Sequence, residues 1–108
     1  MRQVLDGIRY DTDKAELIGE THSYRDRRDP RTGFLVNHGW SESLYRSPGG
    51  KLFLFGQGTE GTRWNRMTPE GADGAIRPIT EDEARTWVEK YCTADVYDGV
   101  WPGEAVDA

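Results

Sequence analysis

A single cysteine, Cys92, stands in a chain of 108 residues, so no disulfide can close within it. A lone thiol suits a reducing compartment and excludes the disulfide scaffold of many small secreted domains. Long apolar runs are missing too. Nothing approaches the ~20 residues of a membrane span. The opening residues Met1-Arg2-Gln3-Val4-Leu5-Asp6 have no apolar core of the kind a signal peptide carries. The expectation is a cytoplasmic protein with no membrane association. A basic excess is also lacking: 14 Lys and Arg stand against 19 Asp and Glu, giving a net charge of −5. Direct nucleic-acid binding is therefore not the expected mode, because a phosphate-binding surface ordinarily brings basic residues in excess. An acidic surface favours solubility, or docking on basic patches of other proteins.

What is present is aromatic. Hydrophobic residues make up 35 % of the chain and charged residues 31 %, but four Trp, five Tyr and three Phe are among them. Each large apolar side chain contributes roughly 1.5–3 kcal/mol when fully buried, so a few aromatic anchors should hold the core. The length fits one domain. Residues 1–103 read as a single α+β domain and 104–108 as a frayed tail. No internal repeat or linker divides it.

The pattern along the chain predicts a small antiparallel sheet of about four to five strands, a C-terminal capped helix and a short helical turn after it. Asp6-Gly7 lies between short apolar segments, as in a two-residue hairpin turn. Thr12–His22 reads either as a helix capped by Asp13 or as a strand, and Ile18, Gly19 and Thr21 tilt it toward strand. Residues 24–33 read as a polar loop in which Arg25, Arg27, Arg28 and Arg31 interleave with Asp26 and Asp29. Phe34-Leu35-Val36 and Glu42–Arg46 read as strand material, and Ser47-Pro48-Gly49-Gly50 as a turn. Leu52-Phe53-Leu54-Phe55 is wholly apolar, which predicts a central strand covered on both faces or one whose second face meets a partner. Residues 56–74 hold five glycines and little periodicity, and read as a long loop. Ala75–Ile79 reads as an edge strand because Pro78 has no N–H for a central ladder.

The firmest pattern is Thr80-Glu81-Asp82-Glu83, a capping box opening a helix over Glu81–Cys92. Three acids in its first turn meet the positive end of the helix dipole. Ala84, Trp87, Val88 and Tyr91 make one apolar stripe. Thr93 can cap a second short turn in which Val96/Val100 and Tyr97/Trp101 are i,i+4 pairs, and Pro102-Gly103 ends it.

No motif reaches a catalytic or metal-binding signature. His22, His38 and Cys92 lack metal-ligand spacing. The serines at 23, 41, 43 and 47 lie in no Gly-x-Ser-x-Gly elbow. Cys92 falls at the negative end of the helix, where a thiolate is disfavoured. No catalytic, cofactor-binding or metal residue is assigned, no cofactor is expected, and catalysis is not the reading these residues favour. Gly56-Gln57-Gly58-Thr59-Glu60-Gly61 matches G-x-G-x-x-G in letters, but Pro69, Gly71 and Gly74 break the helix a dinucleotide site needs after it. Partner-binding candidates are Arg27 and Arg28 in the arginine-rich segment, Arg63, Trp64 and Arg66 in the long loop, and Tyr97 and Trp101 near the C-terminus. Trp64 has a second reading, as a lid folded over the sheet. The oligomeric state stays open, a homodimer included.

Several segments together carry a resemblance: Gly7-Ile8-Arg9-Tyr10-Asp11-Thr12 with Ala15, Leu44-Tyr45-Arg46, Gly50–Gly58, Ile76-Arg77-Pro78-Ile79-Thr80 with Glu83, Ala84 and Trp87, and Ala94-Asp95-Val96-Tyr97. In these the chain resembles a group of small proteins of bacteria, their phages and other mobile elements. The resemblance covers most of the chain apart from the arginine-rich segment and the stretch around Trp64–Gly71. It implies a sheet-plus-helix fold and a mobile-element origin, and it brings no catalytic residue. Small acidic proteins of such genomes often block host machinery, CRISPR effector complexes included. The leading expectation is thus a non-enzymatic protein-binding module with an anti-CRISPR-like role against a host nucleic-acid-handling complex. The alternative is a small-ligand or nucleotide-binding domain using the glycine-rich loop 56–74.

Overall fold

Asp6 and Gly7 both take positive φ, 52° and 77°, the geometry of a type I′ turn. They join β1 (Arg2–Leu5) to β2 (Ile8–Asp11) as the hairpin the sequence predicts. The computed structural model of the chain describes residues 1–58, Trp64 and residues 74–108, with the backbone alone described at Arg25, Arg27, Val36, Asn37 and His38. The remaining elements are β3 (Glu16–Arg28), β4 (Leu35–Arg46), β5 (Leu52–Gly58), β6 (Ala75–Pro78), α1 (Glu81–Tyr91) and α2 (Ala94–Val100). Strands β3-β4-β5-β6 form one antiparallel sheet in sequence order, and β1–β2 forms a separate two-stranded one. The fold is a small α+β domain.

The helical alternative for Thr12–His22 is not taken. The Asp11 carboxylate accepts from the Asp13 backbone N–H at 3.0 Å, closing a turn, and β3 begins at Glu16. A bulge between Leu17 and Gly19 sends Ile18 into the core beneath α1. Gly19 then lies under the helix end, where a β-carbon would stand 2.6 Å from Cys92 Sγ.

The polar loop predicted at 24–33 is a correction. Tyr24–Arg28 continue β3 and pair with Leu35–Gly39 of β4, so only a short tip remains as turn. Cross-strand hydrogen bonds hold these residues extended although neither strand face shows apolar alternation. The two pieces of strand material, Phe34–Val36 and Glu42–Arg46, fall, from Leu35 on, in the single strand β4.

Strand β5 is covered on both faces, as its apolar run requires. Leu52 and Leu54 face a cluster with Leu44, Trp64, Ala75, Ala84, Trp87, Val88 and Trp101, beneath the helices. Phe53 and Phe55 face Tyr10, Ile76 and Tyr45, beneath the β1–β2 hairpin. The hairpin, the sheet and the helices are thus three layers. β6 is the far edge, where Pro78 costs no ladder bond. The capping box forms in full: Thr80 Oγ1 accepts from Glu83 N, and Glu83 Oε1 accepts from Thr80 N, each at 3.1 Å. Thr93 precedes α2 without a side-chain cap bond.

Candidate partner interface

Among the described residues β4–β5 pairing reaches Trp40–Gly58, and β3–β4 pairing runs on to Arg28–Leu35. Beyond the last described β5 pair, five residues on each strand run on as a paired β3–β4 arm, about 16 Å long at the usual rise per residue. The arm ends in a closely tied turn. Asp29 O accepts from Gly33 N at 2.8 Å, Asp29 N donates to Phe34 O at 2.9 Å, and Asp29 Oδ1 accepts from Arg31 N at 2.8 Å. The Arg28 guanidinium donates to Gly33 O, and Gly33 takes φ +74°. Pro30 suits the second position of such a turn, and glycine its left-handed residue.

This turn presents Phe34, 74 % exposed, beside Leu35, 63 % exposed, with Tyr24 52 % exposed nearer the root. Tyr24 stacks on His22, with ring centroids 5.5 Å apart, and covers the bare α-carbon of Gly39 across the strand pair. Large apolar side chains so exposed on a tied turn, with Arg28 and Arg31 in the same turn, have the composition of an interface patch. Phe34, Leu35 and Tyr24 were not among the sequence candidates. The signal that could find them is Asp29-Pro30-Arg31-Thr32-Gly33 read as a hairpin turn between extended segments.

Among the described residues the sequence candidates are not brought together. Arg27 and Arg28 lie on the arm, the first described in backbone only and the second exposed. Arg63 and Arg66 lie outside the described residues. Trp64 follows its lid reading: it is 1 % exposed, and its Nε1 donates to Glu42 Oε2 at 2.7 Å. Trp87 Nε1 donates to the other oxygen of the same carboxylate at 2.8 Å, so Glu42, 4 % exposed, is held between two indoles. Burial likewise corrects the reading of Trp101 as an apolar anchor. Its ring sits between Tyr97, with centroids 5.0 Å apart, and the Arg85 guanidinium, 5.0 Å from the ring centroid, while its Nε1 donates to Glu81. Tyr97 is half-buried in that stack. The stack borders Arg46 and Leu52, at the opposite end of β4 from Phe34 and Leu35.

The electrostatics of the helical layer are structural. Hydrogen bonds from Arg85, then from Trp101, hold the Glu81 carboxyl below the ordinary carboxylate range. Glu104 pairs with Arg85 at 2.7 Å, so the expected tail is tied at its first residue. Burial pushes the Cys92 thiol up. Burial, then the nearby Glu20 and Asp13, pushes the Tyr45 phenol up. Among the described residues no three of His, Cys, Asp and Glu converge as metal ligands would, and no helix is long and apolar enough to cross a membrane.

The glycine-rich motif has another use than phosphate binding at its start. Gly56 and Gly58 belong to β5, opposite Glu42 and Trp40, and the Trp64 indole lies on Gly56. Gly61 lies outside the described residues. In fold class the chain is a small α+β protein with an arm. Compared with protein-family models, with curated proteins and with solved structures, it matches none of them.

Proposed function

We propose that the chain is a non-enzymatic protein-binding module that docks through the tip of the β3–β4 arm. In its finer form the reading is a phage or mobile-element inhibitor of a host nucleic-acid-handling complex, anti-CRISPR-like and acting in the cytoplasm. The observation that carries it is the tip itself, where Phe34 and Leu35 stand exposed on a turn fixed by its own hydrogen bonds. A pre-ordered turn loses little conformational freedom on binding, so its apolar contacts are not offset by an ordering cost.

Charge distribution supports the finer reading. Residues 24–34 carry four arginines against two aspartates, whereas residues 81–108 carry eight acids against two bases. An acidic body suits the basic channel of a nucleic-acid-binding protein, and the arm supplies an apolar anchor beside it. The test adds purified protein to a purified CRISPR effector complex and follows target-DNA binding by gel shift. Wild type lowers DNA binding, and Phe34→Ser with Leu35→Ser restores it. DNA binding untouched by wild type sinks the inhibitor reading. Equal action by the tip variant sinks the arm as its docking element.

A further inference from the structure

Between the root of the arm and α1 lies a cleft of about 620 Å³, within the ~300–1,000 Å³ typical of small-ligand sites. Trp40 and Tyr91 form one corner of it, their rings 5.9 Å apart and inclined at 71°. Trp87 extends that wall, 5.3 Å from Tyr91 at 59°. The Glu42 carboxylate lies below, fixed by its two indole donors, and Asp82 and Glu83 from the first turn of α1 line the same cleft.

Aromatic faces carry the negative part of the ring quadrupole and attract cations, most strongly those that shed water easily. The Glu42 carboxylate, bonded to Trp87, adds to that attraction, while Asp82 and Glu83 line the other end of the cleft, about 12–14 Å along α1 from Tyr91. The chain itself places an ammonium there: Lys90 Nζ stands 5.1 Å from the Tyr91 ring centroid and shares the lining. Lysine is strongly hydrated. A methylated ammonium holds water less tightly and offers methyl groups to the rings, so it suits an aromatic corner better than a primary amine does. We infer that this cleft binds a quaternary or methylated ammonium group, with Lys90 as its internal competitor.

Such a group occurs on small molecules such as choline and on trimethylated lysine in peptides, and both serve as probes. Tryptophan fluorescence of the full chain is titrated with choline, with a trimethyllysine peptide and with 3,3-dimethylbutanol, the neutral isostere of choline. A saturable change with an ammonium probe, several-fold weaker with the neutral isostere, supports the inference. The tighter of the two ammonium probes identifies the source of the group. Tyr91→Ala should abolish binding. Because that variant also removes packing, Lys90→Gln is the second test: Lys90 is exposed, and its loss should tighten ammonium binding several-fold with thermal stability unchanged. Absence of a saturable response, equal binding of the neutral isostere, or weaker binding by Lys90→Gln each overturns the inference.

Discussion

The indole of Trp64 lies directly on the bare α-carbon of Gly56, where a β-carbon would overlap the six-membered ring at Cε2, Cδ2 and Cζ2. The indole is buried, and its N–H is tied to Glu42 on the neighbouring strand, so it cannot slide aside without losing a buried hydrogen bond. Gly56→Ala should therefore destabilise the fold by roughly 1–3 kcal/mol as an overpacked core does. Gly49→Ala is the control, because a β-carbon there meets only Ser47 Oγ, at 3.9 Å, and should be near neutral. Urea denaturation of both variants measures the difference, and equal midpoints would refute the close-approach account.

That contact also marks where sequence reading stops. The capping box at Thr80 and the stripe of Ala84, Trp87 and Val88 were legible because helix signals lie within a few residues of one another. The Asp6-Gly7 hairpin and the two-faced strand at Leu52–Phe55 were legible for the same reason. Trp64 on Gly56, and Glu42 between Trp64 and Trp87, join residues far apart in the chain. In sequence Glu42 is an ordinary polar strand residue. The arm was hidden differently: Arg25–Arg28 are all charged and Leu35-Val36 is followed by Asn37-His38-Gly39, so the alternation that announces a half-buried strand is absent. Phe34-Leu35-Val36 reads as strand material, with nothing local to show that it starts an arm.

Glu42 offers a sharper test of the core. Both oxygens accept from buried indoles, at 2.7 and 2.8 Å. In Glu42→Gln one of those oxygens becomes an amide nitrogen, whose protons face an indole N–H. A buried donor left without an acceptor costs about 1–3 kcal/mol. The variant should lose that much in urea denaturation, with a shifted tryptophan emission maximum in the native state. Wild-type stability with an unchanged spectrum would contradict the pairing.

Thr80→Ala removes the hydroxyl that accepts from Glu83 N while leaving the helix stripe intact. The expected loss is ~1 kcal/mol. Thr80→Ser keeps the acceptor and should recover most of it. Thermal melts of the three proteins decide this, and equal loss for serine and alanine would assign the effect to something other than the cap.

The carboxyl of Glu81 is held low by donors from Arg85 and Trp101, which favour its charged form in the folded state. A depressed folded pKa contributes stability that is present above the unfolded pKa and lost as pH falls through the folded one. Glu81→Gln should therefore melt below wild type at pH 7, and the gap should close under acid conditions. A gap of constant size from neutral to acid pH would show that the carboxylate's charge is not what stabilises this corner.

The arm should separate stability from binding. Phe34 and Leu35 are exposed and the turn is held by backbone bonds, so replacing both with serine removes no core contact. Surface changes of this kind usually stay within about 0.5 kcal/mol, and urea denaturation should give that result. Losing a large apolar contact area at a docking tip, by contrast, commonly weakens a complex by 2 kcal/mol or more, about thirty-fold in Kd. A tip variant as stable as wild type that no longer lowers DNA binding by the effector complex would tie function to these two side chains. If instead the variant unfolds at lower urea, then Phe34 and Leu35 pack against the arm in solution, and the tip is part of the fold rather than the surface offered to a partner.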